Sequence, residues 1–181
     1  MRAFVGLPLS DTDLDQCERL QGALRIGRLV AAENLHLTLA FLDDQEPATL
    51  EALHHEMAEI VAPELALRVD HIDVMGGNSP RVLCAMVAED PTLSALRDAV
   101  RQAARRAEID LPRERFRPHM TLVRFPRRMD IDADQQLARY LTDWGATSWS
   151  LQPITEFTLY QSVLSPEGPT YTPLAEYPLG G

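Results

Sequence analysis

Two of the five histidines in this chain stand in the same short phrase. Residues 35–39 read Leu-His-Leu-Thr-Leu and residues 118–122 read Pro-His-Met-Thr-Leu, so His-x-Thr-Leu occurs at His36/Thr38 and again at His119/Thr121. Both phrases lie in runs that alternate apolar and polar residues, the pattern of a half-buried strand. Residues two apart on a strand project to the same side, so each histidine travels with its threonine. If the two strands meet on a concave surface, two imidazoles and two hydroxyls converge on one spot, and a tetrahedral phosphate fits such a spot. The threonines can donate hydrogen bonds to non-bridging oxygens. One imidazole can take a proton from the attacking oxygen while the other gives a proton to the departing one, because the ordinary histidine pKa of about 6.5 suits both tasks. A strained cyclic phosphodiester would need no metal for this.

Zinc is the main chemical competitor for a histidine pair. Two histidines supply two ligands, whereas zinc sites generally draw three or four from the protein. The remaining histidines do not complete a set: His54 and His55 read as surface or packing residues of a helix, and His71 lies on a strand near Asp70 and Asp73 without metal-motif spacing.

The elements that must position the pair follow from periodicity and punctuation. Strands are expected at Arg2–Leu7, Arg28–Ala31, Leu35–Leu42, Leu65–Met75, Arg81–Val87, Pro118–Phe125, Ser148–Gln161 with a bend at Pro153, and Tyr171–Tyr177. Helices are expected at about Leu14–Leu24 behind the capping run Ser10–Asp13, from Pro47 to about Val61, from Asp90 to about Ala107, and at Asp130–Trp144, closed by Gly145. A turn is expected at Gly76-Gly77-Asn78-Ser79-Pro80. In the first motif strand, strict alternation puts Leu35, Leu37, Leu39 and Phe41 on one face and His36, Thr38 and Ala40 on the other. Strands joined by short turns and interspersed with helices give an α+β arrangement of antiparallel or mixed sheets with helices on one face.

The chain has 181 residues, 45% of them apolar and 24% charged, which fits one soluble globular domain over residues 1–181. Cys17 and Cys84 read as reduced thiols, in keeping with a cytoplasmic location. No run approaches the roughly 18 apolar residues of a membrane span, and the apolar start is too short for a signal peptide. The formal net charge of −10 argues against nucleic acid. Its distribution argues the other way: Arg101–Arg128 holds nine arginines against Glu108, Asp110 and Glu114. No lysine occurs, which reads first as a compositional bias, although arginine does present a planar fork suited to phosphate oxygens.

The two motifs with their flanks, Asn34-Leu-His-Leu-Thr-Leu-Ala-Phe-Leu42 and Phe116-Arg-Pro-His-Met-Thr-Leu-Val-Arg124, resemble the paired motifs of the 2H phosphoesterases, especially the RNA 2′,3′-cyclic phosphodiesterases, also called 2′-5′ RNA ligases. Arg2–Leu7, Pro80–Leu83 and Phe157–Pro169 followed by Tyr171 are similar as well, so the resemblance spans essentially the whole chain. Asp43 departs from it, standing where Phe-Leu is usually followed by glycine.

The resemblance implies a bilobal fold with pseudo-two-fold symmetry, in which two antiparallel sheets face a central cleft and the helices lie outside. It implies hydrolysis of an RNA-terminal 2′,3′-cyclic phosphate to a 2′-phosphate; a metal-independent reaction, no cofactor and a monomer are expected with it. RNA 3′ ends or nucleotides bearing the cyclic phosphate would be its partners. His36 is then the proton donor to the departing oxygen and His119 the acceptor that activates water. Thr38 and Thr121 hold the phosphate, joined by Arg124. By strict alternation Arg124 lies on the face opposite His119, so it reaches the cleft only if the strand bends, bulges or ends. Ligation through a 2′-5′ bond is the reverse reaction at the same site, and a non-catalytic RNA- or nucleotide-binding module is the alternative of a different class. Binding alone would not need two proton-transfer groups.

Overall fold

The computed structural model describes residues 1–77, 79–166 and 168–181; the turn expected at 76–80 therefore lies partly outside the described residues, at Asn78. In chain order the elements are β1 (Arg2–Leu7), α1 (Asp11–Gly22), β2 (Arg28–Leu29), β3 (Leu37–Asp44), α2 (Pro47–Ala58), β4 (Arg68–Met75), β5 (Val82–Val87), α3 (Pro91–Arg106), β6 (His119–Arg124), α4 (Ile131–Trp144), β7 (Trp149–Ser150), β8 (Glu156–Ser165) and β9 (Gly168–Pro178).

The helices begin where capping chemistry places them. Ser10 Oγ accepts from the Asp13 N–H at 3.2 Å, Asp90 Oδ1 from Leu93 at 2.9 Å, and Asp130 Oδ1 from Ala133 at 2.8 Å. Proline opens both α2 and α3, where its missing N–H costs nothing. Asp13 is buried, and its carboxylate also accepts from Trp149 Nε1 at 3.2 Å and the Gln152 N–H at 3.0 Å. That tie holds α1 to the segment around β7.

All described strands pair antiparallel in one sheet of order β7-β4-β5-β6-β3-β1-β8-β9, with β2 on the free side of β6. One continuous sheet thus stands where two facing sheets are expected. Its halves join at a single pair, Leu37 with Met120, beyond which β3 and β6 run off in opposite directions. Leu37 and Met120 are fully buried and share one core with Leu20 of α1, Leu53 of α2, Leu93, Leu96 and Val100 of α3, and Leu137 of α4. The helices therefore cover the leucine face and leave the histidine face open.

Both motif strands carry a bulge at the equivalent place. On β6, Val123 faces Leu83 and Thr121 faces Cys84, so Leu122 is the extra residue. On β3, Ala40 faces Val5 and Thr38 faces Gly6, so Leu39 is the extra residue. Each bulge puts two consecutive residues in the core, Leu122 with Val123 and Leu39 with Ala40. It also reverses the alternation that follows. Phe41, expected on the leucine face, is instead 62% exposed on the histidine side, and Ala40, expected beside His36, is buried. The β6 bulge is fastened by α1: the Leu122 carbonyl accepts from the Val30 N–H at 2.9 Å and from Gln21 Nε2 at 2.8 Å, and the same amide donates to the Val30 carbonyl.

The last strands also differ from expectation. Ser148–Gln161 is interrupted after Ser150, and β8 runs on to Ser165, paired with β9 throughout. Ser162–Ser165 have no core to face, so their pairing leaves no hydrophobic pattern to read.

A second slip, between Ala3 and Phe4, precedes Asp43, whose φ is 55°. That left-handed conformation is the one glycine adopts without penalty, and an L side chain there is strained. Asp43 is exposed, and its 3.9 Å contact with Arg2 is between two exposed groups. Asp43→Gly is expected to raise stability by about 0.5–1 kcal/mol at unchanged activity, read as a higher denaturant midpoint with the same slope.

Candidate active site

His36, Thr38, His119, Thr121 and Arg124 all line one cavity of about 360 Å³ on the open face of the sheet. The register explains the convergence. Because Leu37 pairs with Met120 antiparallel, His36 lies across from Thr121, and Thr38 across from His119. The central residues of the two phrases face each other, and the chemistry-bearing residues flank them diagonally.

Both imidazoles are oriented by the same device. Nδ1 of His36 donates to the Asn34 carbonyl at 2.7 Å, and Nδ1 of His119 donates to the Arg117 carbonyl at 2.6 Å. A carbonyl only accepts, so the proton on each Nδ1 is fixed, and Nε2 is the atom left for proton transfer. For His36, Nε2 lies 2.9 Å from Thr38 Oγ1. With Nδ1 protonated and the ring neutral, Nε2 accepts the Thr38 hydroxyl proton. Protonating Nε2 reverses that bond and frees the Thr38 hydrogen for another acceptor.

The surroundings of the two rings differ. His36 stands against Phe4, with centroids 4.6 Å apart, and meets Tyr171 edge-on at 5.3 Å; Tyr160 stacks on Phe4 at 4.9 Å, its centroid 6.3 Å from that of His36. Gly6 makes room for the ring, since a Cβ there would sit 3.2 Å from His36 Cδ2. Burial pushes the His36 pKa down to about 4; the Asn34 bond opposes the shift, and the charges of Arg124 and His119 add to it. Among the described residues no ring contacts His119, and its bond to Arg117 is solvent-exposed.

Arg124 reaches the cavity because of the bulge at Leu122, which resolves the parity conflict in the sequence. Phe41 is its counterpart on β3, five residues after His36 as Arg124 is five after His119. Phe4 is 3% exposed and lies beneath His36, closed to a ligand. The aromatic residues that line the cavity are Phe41 and Tyr171.

Sequence reasoning missed Asn34, Arg28 and the tip of the β8–β9 hairpin. Asn34 is buried; besides its carbonyl on His36, its Nδ2 donates to the Pro169 carbonyl at 2.7 Å. It thereby ties the hairpin tip to the first histidine. Arg28 lies over Gly168, where φ is 131° and a Cβ would be 2.1 Å from the guanidinium. The signal that could have found the hairpin is the run Ser165–Tyr171, singled out above only as part of the resemblance.

His54 and His71 lie elsewhere, bonded to the Tyr177 hydroxyl at 2.9 Å and to Asp70 at 2.6 Å. Among the described residues no group of three or more His, Cys, Asp or Glu is gathered as a metal ion would require, and no helix is long and apolar enough to cross a membrane.

Comparison with known proteins adds to this geometry. A family model described as the 2′-5′ RNA ligase superfamily matches residues 10–161. An RNA 2′,3′-cyclic phosphodiesterase of Escherichia coli (strain K12) is 33% identical over 154 residues, covering 84% of this chain and 80% of its own. One of the same name from Archaeoglobus fulgidus is 25% identical across 96% of this chain and 98% of its own. Among solved structures, that of E. coli LigT complexed with 3′-AMP matches with a TM-score of 0.79 at 27% identity, covering 99% of this chain and 98% of that one.

An anion in this cavity opposes the forces that depress His36. Its pKa in the free protein is about 4, so anion binding is expected to draw a proton onto Nε2 and raise that value. Sulfate, whose charge is constant across this range, should move the His36 Cε1–H titration measured by NMR upward by at least about one unit, equivalent to tenfold tighter binding of the protonated form. An unmoved titration at saturating sulfate would show that the anion does not sit at His36.

Proposed function

Because the chain belongs to the 2′-5′ RNA ligase superfamily, we propose that it hydrolyses the 2′,3′-cyclic phosphate at RNA 3′ ends to a 2′-phosphate by paired histidine acid–base catalysis, without a metal. The relatives named RNA 2′,3′-cyclic phosphodiesterase support the activity. The observation that carries the mechanism is that both His-x-Thr pairs line one cavity, each with Nδ1 tied back to a carbonyl so that Nε2 is left for the substrate.

In this reading the cyclic phosphate sits between the imidazoles. Thr38, Thr121 and Arg124 hold its non-bridging oxygens, which places hydrogen-bond donors and positive charge where negative charge accumulates. His119, on the wetter side, takes a proton from water as the oxygen attacks phosphorus. The bond from phosphorus to the 3′ oxygen breaks, and His36, enclosed by Phe4 and Tyr171, gives that oxygen its proton. The 2′ linkage survives as a phosphomonoester. His36 is deprotonated at neutral pH in the free protein, so Nε2 takes up a proton from solvent as the anionic substrate binds. The same proton then freed Thr38 to turn toward the phosphate.

The bilobal pseudo-two-fold relation belongs to this reading too. Its support is the equivalence of His36 with His119, Leu37 with Met120, Thr38 with Thr121, the bulge at Leu39 with that at Leu122, and Phe41 with Arg124. Ligation is the same chemistry run backwards with a 5′-hydroxyl on the acceptor, and product analysis with and without such a strand separates the two.

His36→Ala and His119→Ala are each expected to lower turnover of a nucleoside 2′,3′-cyclic phosphate by roughly 10²–10⁴-fold with the circular dichroism unchanged, and EDTA is expected to leave the wild-type rate intact. Near-normal turnover in either variant would remove the two-histidine mechanism. A loss in EDTA that zinc restores would replace it with metal catalysis.

A further inference from the structure

The arginine-rich run Arg101–Arg128 does not form one surface. Arg101 donates to the carbonyls of Leu111 and Pro112, and Arg106 pairs with Glu56 of α2. Arg105 is on the same helix, which packs on the leucine face, away from the cavity. The run's last three members, Arg124, Arg127 and Arg128, instead meet arginines of two other segments around Phe125. The Phe125 N–H donates to the Arg81 carbonyl at 2.8 Å, and a Cβ on Gly27 would meet the Phe125 ring at 2.9 Å. On adjacent strands Arg28 pairs with Arg124, and Arg124 with Val82. Three segments that are distant in sequence, 25–28, 81–82 and 124–128, are thus brought side by side. They carry Arg25, Arg28, Arg81, Arg124, Arg127 and Arg128, all exposed, and no acidic residue.

We infer that this patch is the docking surface for the body of a single-stranded RNA whose 3′ end occupies the cavity. The inference rests on the cyclic phosphodiesterase reading and extends it from the reacting phosphate to the strand behind it. Two observations commit the surface to a polyanion. It is contiguous with the cavity, because Arg28 and Arg124 belong to both. It also stands on a chain whose net charge is −10, so the rest of the surface repels a polyanion and the patch is where phosphates are drawn. Exposed arginine forks on three neighbouring segments can take successive phosphates without reading bases. The enzyme then discriminates by length: an oligonucleotide gains contacts that a mononucleotide cannot make.

The test compares wild type, the triple variant R81Q/R127Q/R128Q, and R105Q as a control from the same sequence run off the patch. None of these positions belongs to the catalytic machinery. Two substrates are used, a nucleoside 2′,3′-cyclic phosphate and an oligoribonucleotide ending in one. Binding of a 2′-phosphate-ended oligoribonucleotide is measured alongside as a function of salt. The triple variant is expected to lose on the order of tenfold in kcat/KM for the oligonucleotide at low salt, to stay within about twofold for the mononucleotide, and to flatten the salt dependence of binding by up to about 2 in log–log slope. R105Q should match wild type. Equal losses on both substrates, no loss on either, or an unchanged salt slope would overturn the proposal. If wild type turned over neither substrate, the hydrolysis reading would fall, and the salt-dependent binding would still decide whether the patch holds RNA.

Discussion

The antiparallel pair between Leu37 and Met120 is the contact on which the rest of the molecule depends. It is the sole pairing between β3 and β6, and through it the two halves of the sheet become one. Antiparallel register centred on the middle residue of each His-x-Thr phrase sets each histidine across from the other phrase's threonine. A slip by one residue would turn one phrase over and send its imidazole into the core. Both central residues are fully buried beneath the helices, so such a slip would also expose a large apolar side chain. Packing on one face of the sheet thereby enforces chemical alignment on the other.

The bulges at Leu39 and Leu122 add what regular strands cannot. A straight strand offers His and Thr at spacing two and nothing useful at spacing five. With one extra residue inserted, the fifth position returns to the cavity side, and each half contributes a further residue there, Phe41 from one and Arg124 from the other. The halves share geometry and differ in chemistry, one supplying a ring and the other a charge. The same division separates the histidines. Phe4 and Tyr171 enclose His36 and burial depresses its pKa, whereas His119 keeps an open side. Corresponding positions on β3 and β6 thus hold two imidazoles in different surroundings, and Phe4 of β1 together with Tyr171 of the β8–β9 hairpin makes the difference.

Much of this was legible in the amino-acid sequence. The repeated phrase, its strand periodicity, the capping residues of α1, α3 and α4, and the α+β mixture of elements are all local signals, because they depend on residues within a few positions of one another. The histidines and threonines that line the cavity were named by type and spacing alone. Asp43 was visible as a departure from an expected glycine, and its positive φ gives that departure a physical meaning.

Tertiary structure decided the rest because it depends on partners remote in the chain. Whether Leu122 bulges is settled by β5, β2 and the Gln21 side chain, and the sequence around Leu122 contains none of them. Alternation alone therefore put Phe41 and Arg124 on the wrong face. The depressed pKa of His36 comes from its burial, against rings on β1 and β9, and no spacing rule encodes a desolvated neighbour. The arginines, counted along the chain, marked a run that the fold takes apart, while around Phe125 its last three meet Arg25, Arg28 and Arg81 from two other segments. The sequence determined which groups are present and how each strand begins; only the folded chain decided which way they point, what surrounds them and which of them meet.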